Sequence, residues 1–149
     1  MVEMLIGASI FSIALFSISN FFQQALRASK TTQSTVQGDY LLEEGMEAAK
    51  IFRDLSYTNN FRNMSTTTTY YFSWNGTNWA TTTTNTFIDG KFERKFTLAD
   101  VKRDVNQDIA SSGTYDPDIK LVTVSVAWHD ITGTTTHSIQ TYVLNLFNN

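Results

Sequence analysis

Residues 4–26 read MLIGASIFSIALFSISNFFQQAL and contain no ionisable side chain. The apolar part, residues 4–22, would span about 28 Å as an α-helix, close to the ~30 Å of a bilayer's hydrocarbon core. A secretory signal peptide has basic residues ahead of a shorter apolar run and a small-residue cleavage site behind it. Here the first charged residue is Glu3 and the next is Arg27. We therefore expect residues 1–27 to form a membrane-spanning helix with a carboxylate at its tip, rather than a signal peptide.

The composition of the whole chain is that of a folded protein with a modest core of its own. Of its 149 residues, 42% are hydrophobic and 13% are aromatic, which allows one globular domain. The net charge of −3 gives no reason to expect a nucleic-acid partner. Because the chain has no cysteine, disulfides and cysteine-ligated zinc are excluded.

After Arg27 the pattern changes from uniformly apolar to amphipathic. Apolar or small residues recur at spacings of four and three, which places them on one face of a helix. These residues are Leu41, Gly45, Ala48, Phe52 and Leu55. Charged residues such as Glu43 and Lys50 take the other face. We expect one continuous helix over Val2–Leu55, roughly 80 Å long, in which Gly38 and Gly45 permit a bend.

Beyond Tyr57 the sequence is rich in threonine, asparagine and aromatic residues, which favour strands and turns. Asn75 and Gly76 are expected to form the turn of a hairpin. Residues 100–109 are predicted to be a helical turn or an irregular connection. The predicted strands are 70–74, 79–83, 91–98, 121–128 and 138–147.

Alternation within these strands predicts which side chains share a face. Phe92, Phe96 and Leu98 fall together, with Arg94 between them. Another such set is Val122, Val124, Val126 and Trp128, and a third is Ile139, Val143 and Phe147. One face of the sheet needs covering, and the amphipathic half of the helix is the natural cover.

The expected fold class is therefore α+β, with a long N-terminal α-helix packed on a C-terminal antiparallel β-sheet of four or five strands. The expected organisation is a hydrophobic helix over residues 1–27 and a globular domain over residues 28–149. Within that domain, we expect the amphipathic helix at 28–56 and the sheet at 66–147.

The apolar helix carries hydroxyl residues on roughly one face, namely Ser9, Ser12 and Ser19. Such residues let helices approach closely in apolar surroundings, and Phe16 supplies bulk for packing. One interpretation is an interface between helices; the other is an ordinary single-span anchor, in which serines are tolerated. The weak helix formers of Ser17–Asn20 leave open whether the helix loosens there.

Glu3 is an acid at the tip of this apolar helix. Holding an unpaired carboxylate in hydrocarbon costs several kcal/mol. Our hypothesis is that Glu3 pairs with the α-amino group of a neighbouring chain and so sets the axial register between subunits. The alternative is that Glu3 lies in the headgroup region, as the terminal charges of membrane helices often do.

The first six residues, Met1-Val2-Glu3-Met4-Leu5-Ile6, resemble the start of a processed type IV pilin or pseudopilin. Glu3 corresponds to the family's near-terminal glutamate and Met1 to the apolar residue two positions before it. The two residues that precede these in the family are not in this sequence. The resemblance is close over residues 1–25 and extends to the remainder only in layout.

The resemblance implies a homo-oligomeric helical filament at the cell surface, with a single-pass pool in the inner membrane before assembly. The implied partners are a prepilin peptidase, the inner-membrane assembly machinery and membrane lipid. Three functions compete. The first is a filament subunit serving adhesion, motility or DNA uptake, and the second is a pseudopilin of a type II secretion or competence-type system. The third is a membrane-anchored binding module that works alone.

Sequence signatures of catalysis are missing, so we expect a non-enzymatic protein without a cofactor. The chain has no Gly-x-Ser-x-Gly elbow, P-loop, dinucleotide fingerprint or His-Glu-x-x-His. His129 and His137 fall on predicted paired strands. Exposed hairpin histidines are far commoner than a metal site in that position.

The segment Asp104-x-Asn106-x-Asp108 copies the opening of a calcium-binding loop. Ile109 follows where glycine belongs, and Tyr115 stands where a bidentate glutamate belongs. Some pseudopilins bind calcium in a C-terminal loop, so the resemblance leaves Asp104, Asp108, Asp116 and Asp118 as alternative ligands. The favoured interpretation is a polar loop with Asp-Pro turn chemistry.

Two triplets, which begin at Asn63 and Asn75, match the N-glycosylation acceptor pattern. Such triplets are unsurprising in a chain rich in asparagine and threonine, and the hairpin turn already accounts for Asn75. Tyr71, Trp74 and Trp79 could form an adhesive aromatic patch. Hairpin aromatics, however, usually pair across strands, and we favour that interpretation.

Overall fold

The computed structural model describes residues 1–130 and 133–147. It contains one α-helix, α1 (Val2–Leu55), followed by a π-helical turn over Thr58–Arg62. The strands are β1 (Tyr70–Trp74), β2 (Trp79–Thr82), β3 (Phe92–Arg103), β4 (Ile109–Ala110), β5 (Thr114–Asp130) and β6 (Gly133–Leu144). The expected α+β arrangement, a long N-terminal helix packed on an antiparallel sheet, is confirmed.

The chain divides into two compact units, Met1–Val36 and Gln37–Asn149, which we call the stem and the head. The stem is the first part of α1, and the head contains the rest of α1 and the sheet. The sequence-based division after Arg27 marks a change in composition, whereas the division after Val36 marks a change in packing.

The limits of α1 agree with the helix predicted from the sequence. Glu3 lies in its first turn and Arg53 in its last, and both charges complement the helix dipole. The helix runs without interruption through Ser17–Asn20, the stretch of weak helix formers.

The sheet is antiparallel, with strand order β2-β1-β3-β5-β6 and the short β4 pairing with β3. Strands β3 and β5 form its centre and pair from Phe92↔Trp128 to Arg103↔Thr114, with a bulge between Asp100 and Val101. The sheet thus has six strands, against the four or five expected.

The expectation for residues 100–109 is correct for the irregular connection at 104–108 but wrong for the residues before it, because β3 continues to Arg103. The bulge after Asp100 shifts the register, so that Val101 is buried in the core. A bulge of this kind lets a strand continue with its alternation broken, which conceals the strand from a period-of-two pattern. Residues 109–110 then return as β4.

One face of the sheet packs against α1 residues of the head. Burial alternates along β3 and β5 as predicted, and Trp128 is 2% exposed. The main hydrophobic cluster joins the helix, the π-helical turn and the strands. Its members include Met46, Ala48, Ala49, Phe52, Tyr57, Phe61, Phe72, Phe96, Leu98, Val122, Val124 and Val143.

Some residues predicted to share the core face are not covered. On β6, Val143 is buried but Ile139 is exposed, and Phe147, which lies beyond the end of β6, is exposed as well. The reason is that β6 is an edge strand with a neighbour on one side only. Leu55, at the end of the helical seam, is also exposed.

Gly38 and Gly45, expected to permit a bend, mark places where the helix lies against sheet side chains. A Cβ atom on Gly38 would lie 2.4 Å from Cζ3 of Trp128, and one on Gly45 would lie 2.8 Å from Cγ1 of Val124. Any side chain at these two positions would overlap a buried neighbour. The glycines therefore set the distance between helix and sheet.

Candidate functional site

The surface of the stem is the most unusual feature of the molecule. Every residue from Met1 to Ser19 is exposed, including large apolar side chains such as Ile10 and Phe16. Monomeric soluble proteins rarely expose a continuous apolar surface of this extent, and such surfaces mark contact with protein or membrane. By length and composition, α1 qualifies as a membrane-crossing helix, a criterion that anchors and signal sequences meet alike.

The hydroxyls of Ser9, Ser12 and Ser17 in the stem are satisfied within the helix. Ser9 Oγ donates to the carbonyl of Leu5 at 2.7 Å, and Ser12 Oγ donates to the carbonyl of Ala8 at 2.8 Å. A hydroxyl that bonds to its own helix can enter an apolar environment without losing a hydrogen bond. The predicted assembly residues Ser9 and Ser12 are thus small and polar without needing water; Ser19 lies in the same helix and is exposed.

Glu3 and Met1 lie at the exposed start of α1. The helix begins with the amide of Leu5 donating to the carbonyl of Met1. Within residues 1–130 and 133–147, Glu3 makes no ion pair.

Three of the four calcium candidates, Asp104, Asp116 and Asp118, use their carboxylates in local hydrogen bonds. Asp116 accepts a hydrogen bond from Arg103 Nε at 2.6 Å, and Asp118 accepts one from Arg62 at 2.9 Å. Asp104 accepts the backbone N–H groups of Asn106 and Asp108. In the described part of the chain, no group of three or more His, Asp or Glu side chains could hold a metal ion.

Asp116 is the best-anchored of these carboxylates. The hydrogen bond from Arg103 lowers the pKa of the Asp116 carboxyl below its usual value, and the backbone N–H of Asp118 acts in the same direction. Partial burial opposes the shift without cancelling it. Asp116 is therefore an ionised partner of Arg103, with a structural role.

The two histidines lie on β5 and β6, but they do not face each other. His129 Nδ1 is 3.3 Å from the hydroxyl of Thr134. His137 Nδ1 is 2.6 Å from Oδ1 of Asp39 on α1, and its ring lies edge-on to Trp128 at 5.0 Å. His137 thus connects the helix to the edge strand, a contact that sequence reasoning missed.

Two buried cations also escaped sequence reasoning. Arg94 is 4% exposed and pairs with Glu44 of α1 at 3.0 Å. Lys120 is 3% exposed and donates to Asp100 and to the hydroxyl of Tyr115. The alternation of buried residues could have indicated this burial. Arg94 lies two positions from the buried Phe92 and Phe96, and Lys120 lies two positions from the buried Val122.

Lys120 keeps its charge in the core because of its partners. Burial alone would lower the pKa of the ammonium group, but the hydrogen bonds to Asp100 and Tyr115 outweigh burial and raise it. A buried charge is tolerated only when paired and hydrogen-bonded in this way.

The glycosylation candidates are exposed asparagines with local structural roles. Asn63 donates from its side chain to the carbonyl of Thr58 at 3.2 Å. Asn75 accepts the backbone N–H groups of Thr77 and Asn78 within the β1–β2 turn. The turn therefore accounts for Asn75, as expected, and glycosylation at either asparagine stays a prediction.

The prediction that the hairpin aromatics pair across the strands is confirmed for the two tryptophans and not for Tyr71. Trp74 and Trp79 face each other in register, with ring centroids 5.4 Å apart. Tyr71 instead donates its hydroxyl to Glu93.

Comparison with protein-family models, with curated proteins and with solved structures finds no match.

Proposed function

We propose that this protein is a non-enzymatic structural subunit of a type IV pilus-like surface filament and that it polymerises through its stem. The observation that supports this most is the continuous exposed apolar surface of residues 4–19. The near-terminal acid and the resemblance of the first six residues to processed pilins add to that support.

Burial in a bundle of identical stems removes this apolar surface from water. An apolar side chain contributes roughly 1.5–3 kcal/mol when it is moved from water to an apolar environment. In the single-pass membrane pool this contribution is already present. Helix packing, charge pairing and extraction from lipid by the assembly machinery therefore decide between membrane and filament.

Two features of the stem suit close helix packing in the assembled state. The hydroxyls of Ser9 and Ser12 are satisfied by their own helix, so a neighbouring helix can cover them at little cost. Phe16 is exposed and offers bulk for an adjacent groove.

Glu3 supplies the register in this proposal. Its carboxylate pairs with the α-amino group of a neighbouring subunit, which offsets the cost of placing a charge in an apolar bundle. The filament lies at the cell surface, and a prepilin peptidase processes the chain before assembly.

The second candidate function is a pseudopilin of a type II secretion or competence-type system. It has the same support from the stem and differs in producing a short piston-like fibre. Long shed fibres composed mainly of this chain favour the filament subunit, and their absence alongside short fibres favours the pseudopilin.

The test is the effect of Glu3→Ala on surface filaments in a host that assembles them. We expect the filaments to be lost while the protein remains in the membrane fraction. The matched control is Glu43→Ala, which removes an exposed carboxylate from α1 in the head and is expected to leave filaments intact. Filaments of normal length from Glu3→Ala would contradict the pairing, and a chain that never forms fibres would favour the solitary anchor.

A further inference from the structure

A cleft opens in the head where β1 departs from β3. The two strands pair only at Tyr70↔Phe96 and Tyr71↔Lys95. At the start of β3, Phe92 pairs with Ile88 of the preceding loop and not with β1. The strand and the incoming loop leave a cavity of about 330 Å³ between them. That volume is at the lower end of the roughly 300–1,000 Å³ of small-molecule sites.

The walls of the cleft are largely aromatic. Trp74 is 55% exposed and Phe87 is 59% exposed, and both line the cavity together with Trp79. Trp79 is held in place by Phe72, whose ring it meets edge-on at 6.2 Å. Aromatic side chains that line a concave surface are typical of a binding site, because they offer a large contact area at low entropic cost.

The charges at the cleft limit what it can bind. Arg94 and Glu44 both line it, and they pair with each other at 3.0 Å. The Arg94 guanidinium also lies over the ring of Trp79 at 5.1 Å. Because these two charges pair with each other and the other lining residues are uncharged, the cleft offers no net charge to an ionic ligand.

We propose that this cleft binds a neutral saccharide of one or two rings. A pyranose ring presents an apolar C–H face that stacks on an indole or phenyl ring, and a rim of hydroxyls that both donate and accept hydrogen bonds. Trp74 and Phe87 provide the stacking faces. The carboxylate of Glu44 accepts hydrogen bonds from sugar hydroxyls, and the hydroxyl of Thr86 can accept or donate one.

The cleft lies entirely within the head, so this proposal does not depend on filament formation. A head that binds saccharides is compatible with an adhesive filament and with a solitary membrane-anchored module alike. Failure of the saccharide test would leave the stem argument untouched, and failure of the Glu3→Ala test would leave the cleft untouched.

The experiment uses the full chain in a detergent without a sugar headgroup. Saturation-transfer NMR and tryptophan fluorescence are recorded with glucose, galactose, N-acetylglucosamine and lactose as neutral probes. Glucuronate and choline serve as the anionic and cationic probes. We expect saturable binding of at least one neutral sugar, and weaker or no binding of the two charged probes.

The variants locate the binding. Trp74→Ala and Phe87→Ala are each expected to weaken binding of that sugar at least about tenfold, whereas Trp74→Tyr keeps a stacking ring and stays within a few-fold. The control is Tyr40→Ala, which removes an aromatic ring that is 68% exposed on α1 and lies outside the cleft. It is expected to bind normally.

Three outcomes would overturn the proposal. The first is no saturable signal from any neutral sugar, and the second is tighter binding of glucuronate or choline. The third is unchanged binding in both Trp74→Ala and Phe87→Ala, which would place the sugar elsewhere. Near-UV circular dichroism of each variant confirms that the head is folded, and the two alanine variants provide independent tests if one of them fails to fold.

Discussion

The stem and the head share one continuous helix, yet they treat apolar side chains in opposite ways. In the stem, Phe16 is 69% exposed, whereas in the head Phe52 of the same helix is 7% exposed. Residues 4–22 of the stem carry apolar side chains on all sides of the helix, which is typical of a helix that is buried or spans a membrane. The head presents one apolar stripe, which its own sheet covers. The apolar side chains of α1 are thus covered by the chain's own sheet in the head and left exposed in the stem.

The glycines of the two regions differ in the same way. A Cβ atom on Gly7 would meet nothing within 4 Å, whereas Gly38 and Gly45 lie against buried side chains. Changes in the head should therefore affect the free energy of unfolding of one chain. Changes in the stem should affect assembly and leave that free energy unaltered.

The largest expected effect is that of Ser12→Arg in the stem, which we expect to abolish filaments. Arginine at the centre of an apolar helix costs about 2.5–3.5 kcal/mol on insertion scales, and its bulk prevents close helix approach. Electron microscopy of surface fibres measures the loss. The three tryptophans, Trp74, Trp79 and Trp128, all lie in the head, so their fluorescence shows whether the head remains folded.

The control for this change is Ser12→Ala, which keeps the small side chain and removes only a hydroxyl that bonds within its own helix. We expect filaments from it. Intact filaments from Ser12→Arg would refute stem packing, and an unfolded head would show that the two regions are not independent.

The next largest effect is that of Trp128→Ala, which we expect to lower the free energy of unfolding of the head by about 3–5 kcal/mol. Trp128 is 2% exposed and packs on Phe92 and His137. Its indole N–H has no hydrogen-bond partner among the described residues, so its contribution comes from packing. Urea unfolding followed by the fluorescence of the remaining tryptophans measures the loss.

The matched control is Trp74→Ala, because Trp74 is 55% exposed. We expect it to cost less than about 1 kcal/mol. Equal losses from the two substitutions would mean that the sheet face covered by the helix has been assigned wrongly.

How much of the fold the sequence predicts depends on the range of the interactions involved. The limits of α1 and the buried face of β5 follow from local periodicity, which residues such as Val122 and Val124 carry unambiguously. The extension of β3 past Asp100 was missed because a bulge breaks the alternation. The exposure of Ile139 was missed because it depends on β6 being the last strand of the sheet.

The functional features differ in the same way, because those set by local sequence could be predicted and those set by contacts between distant residues could not. The stem surface is evident from the sequence, because nineteen mostly apolar residues in a row without an ionisable side chain need no knowledge of the fold. The Arg94–Glu44 pair and the cleft beside it could not be predicted, since they join α1, β3 and the loop that carries Phe87. The contact roles of Gly38 and Gly45 likewise depend on which strand lies opposite.

The third expected effect, smaller than the first two, is that of Gly38→Ala on the free energy of unfolding of the head. Overpacking against the buried Trp128 ring costs about 1–3 kcal/mol, and the better helix propensity of alanine returns roughly 0.5–1 kcal/mol. We expect a net loss of about 1–2 kcal/mol in urea unfolding.

Gly7→Ala is the matched control in the same helix, and we expect it to leave the stability of the head unchanged. Any effect of Gly7→Ala should appear only in filament yield, where a neighbouring stem lies close. The structure places an added Cβ atom on Gly38 only 2.4 Å from the Trp128 ring. If Gly38→Ala stabilised the head, helix and sheet would have to be farther apart than that.

The smallest expected effect is a pH dependence confined to the head. The Arg103 hydrogen bond lowers the pKa of Asp116 in the folded state, below the ~3.9 of an unfolded aspartate. The unfolded state therefore binds the proton first, so this stabilisation is fully present above about pH 4 and is lost as pH falls through the folded pKa. For a partly exposed pair we expect a contribution to stability of less than about 1 kcal/mol.

Asp116→Asn should lower the free energy of unfolding near neutral pH by that amount and flatten its decline below about pH 4. The control is Glu43→Gln, which removes an exposed carboxylate from α1 in the head and should leave the acid profile of unfolding unchanged. Identical acid profiles for Asp116→Asn and the parent protein would show that the Arg103–Asp116 pair does not stabilise the head.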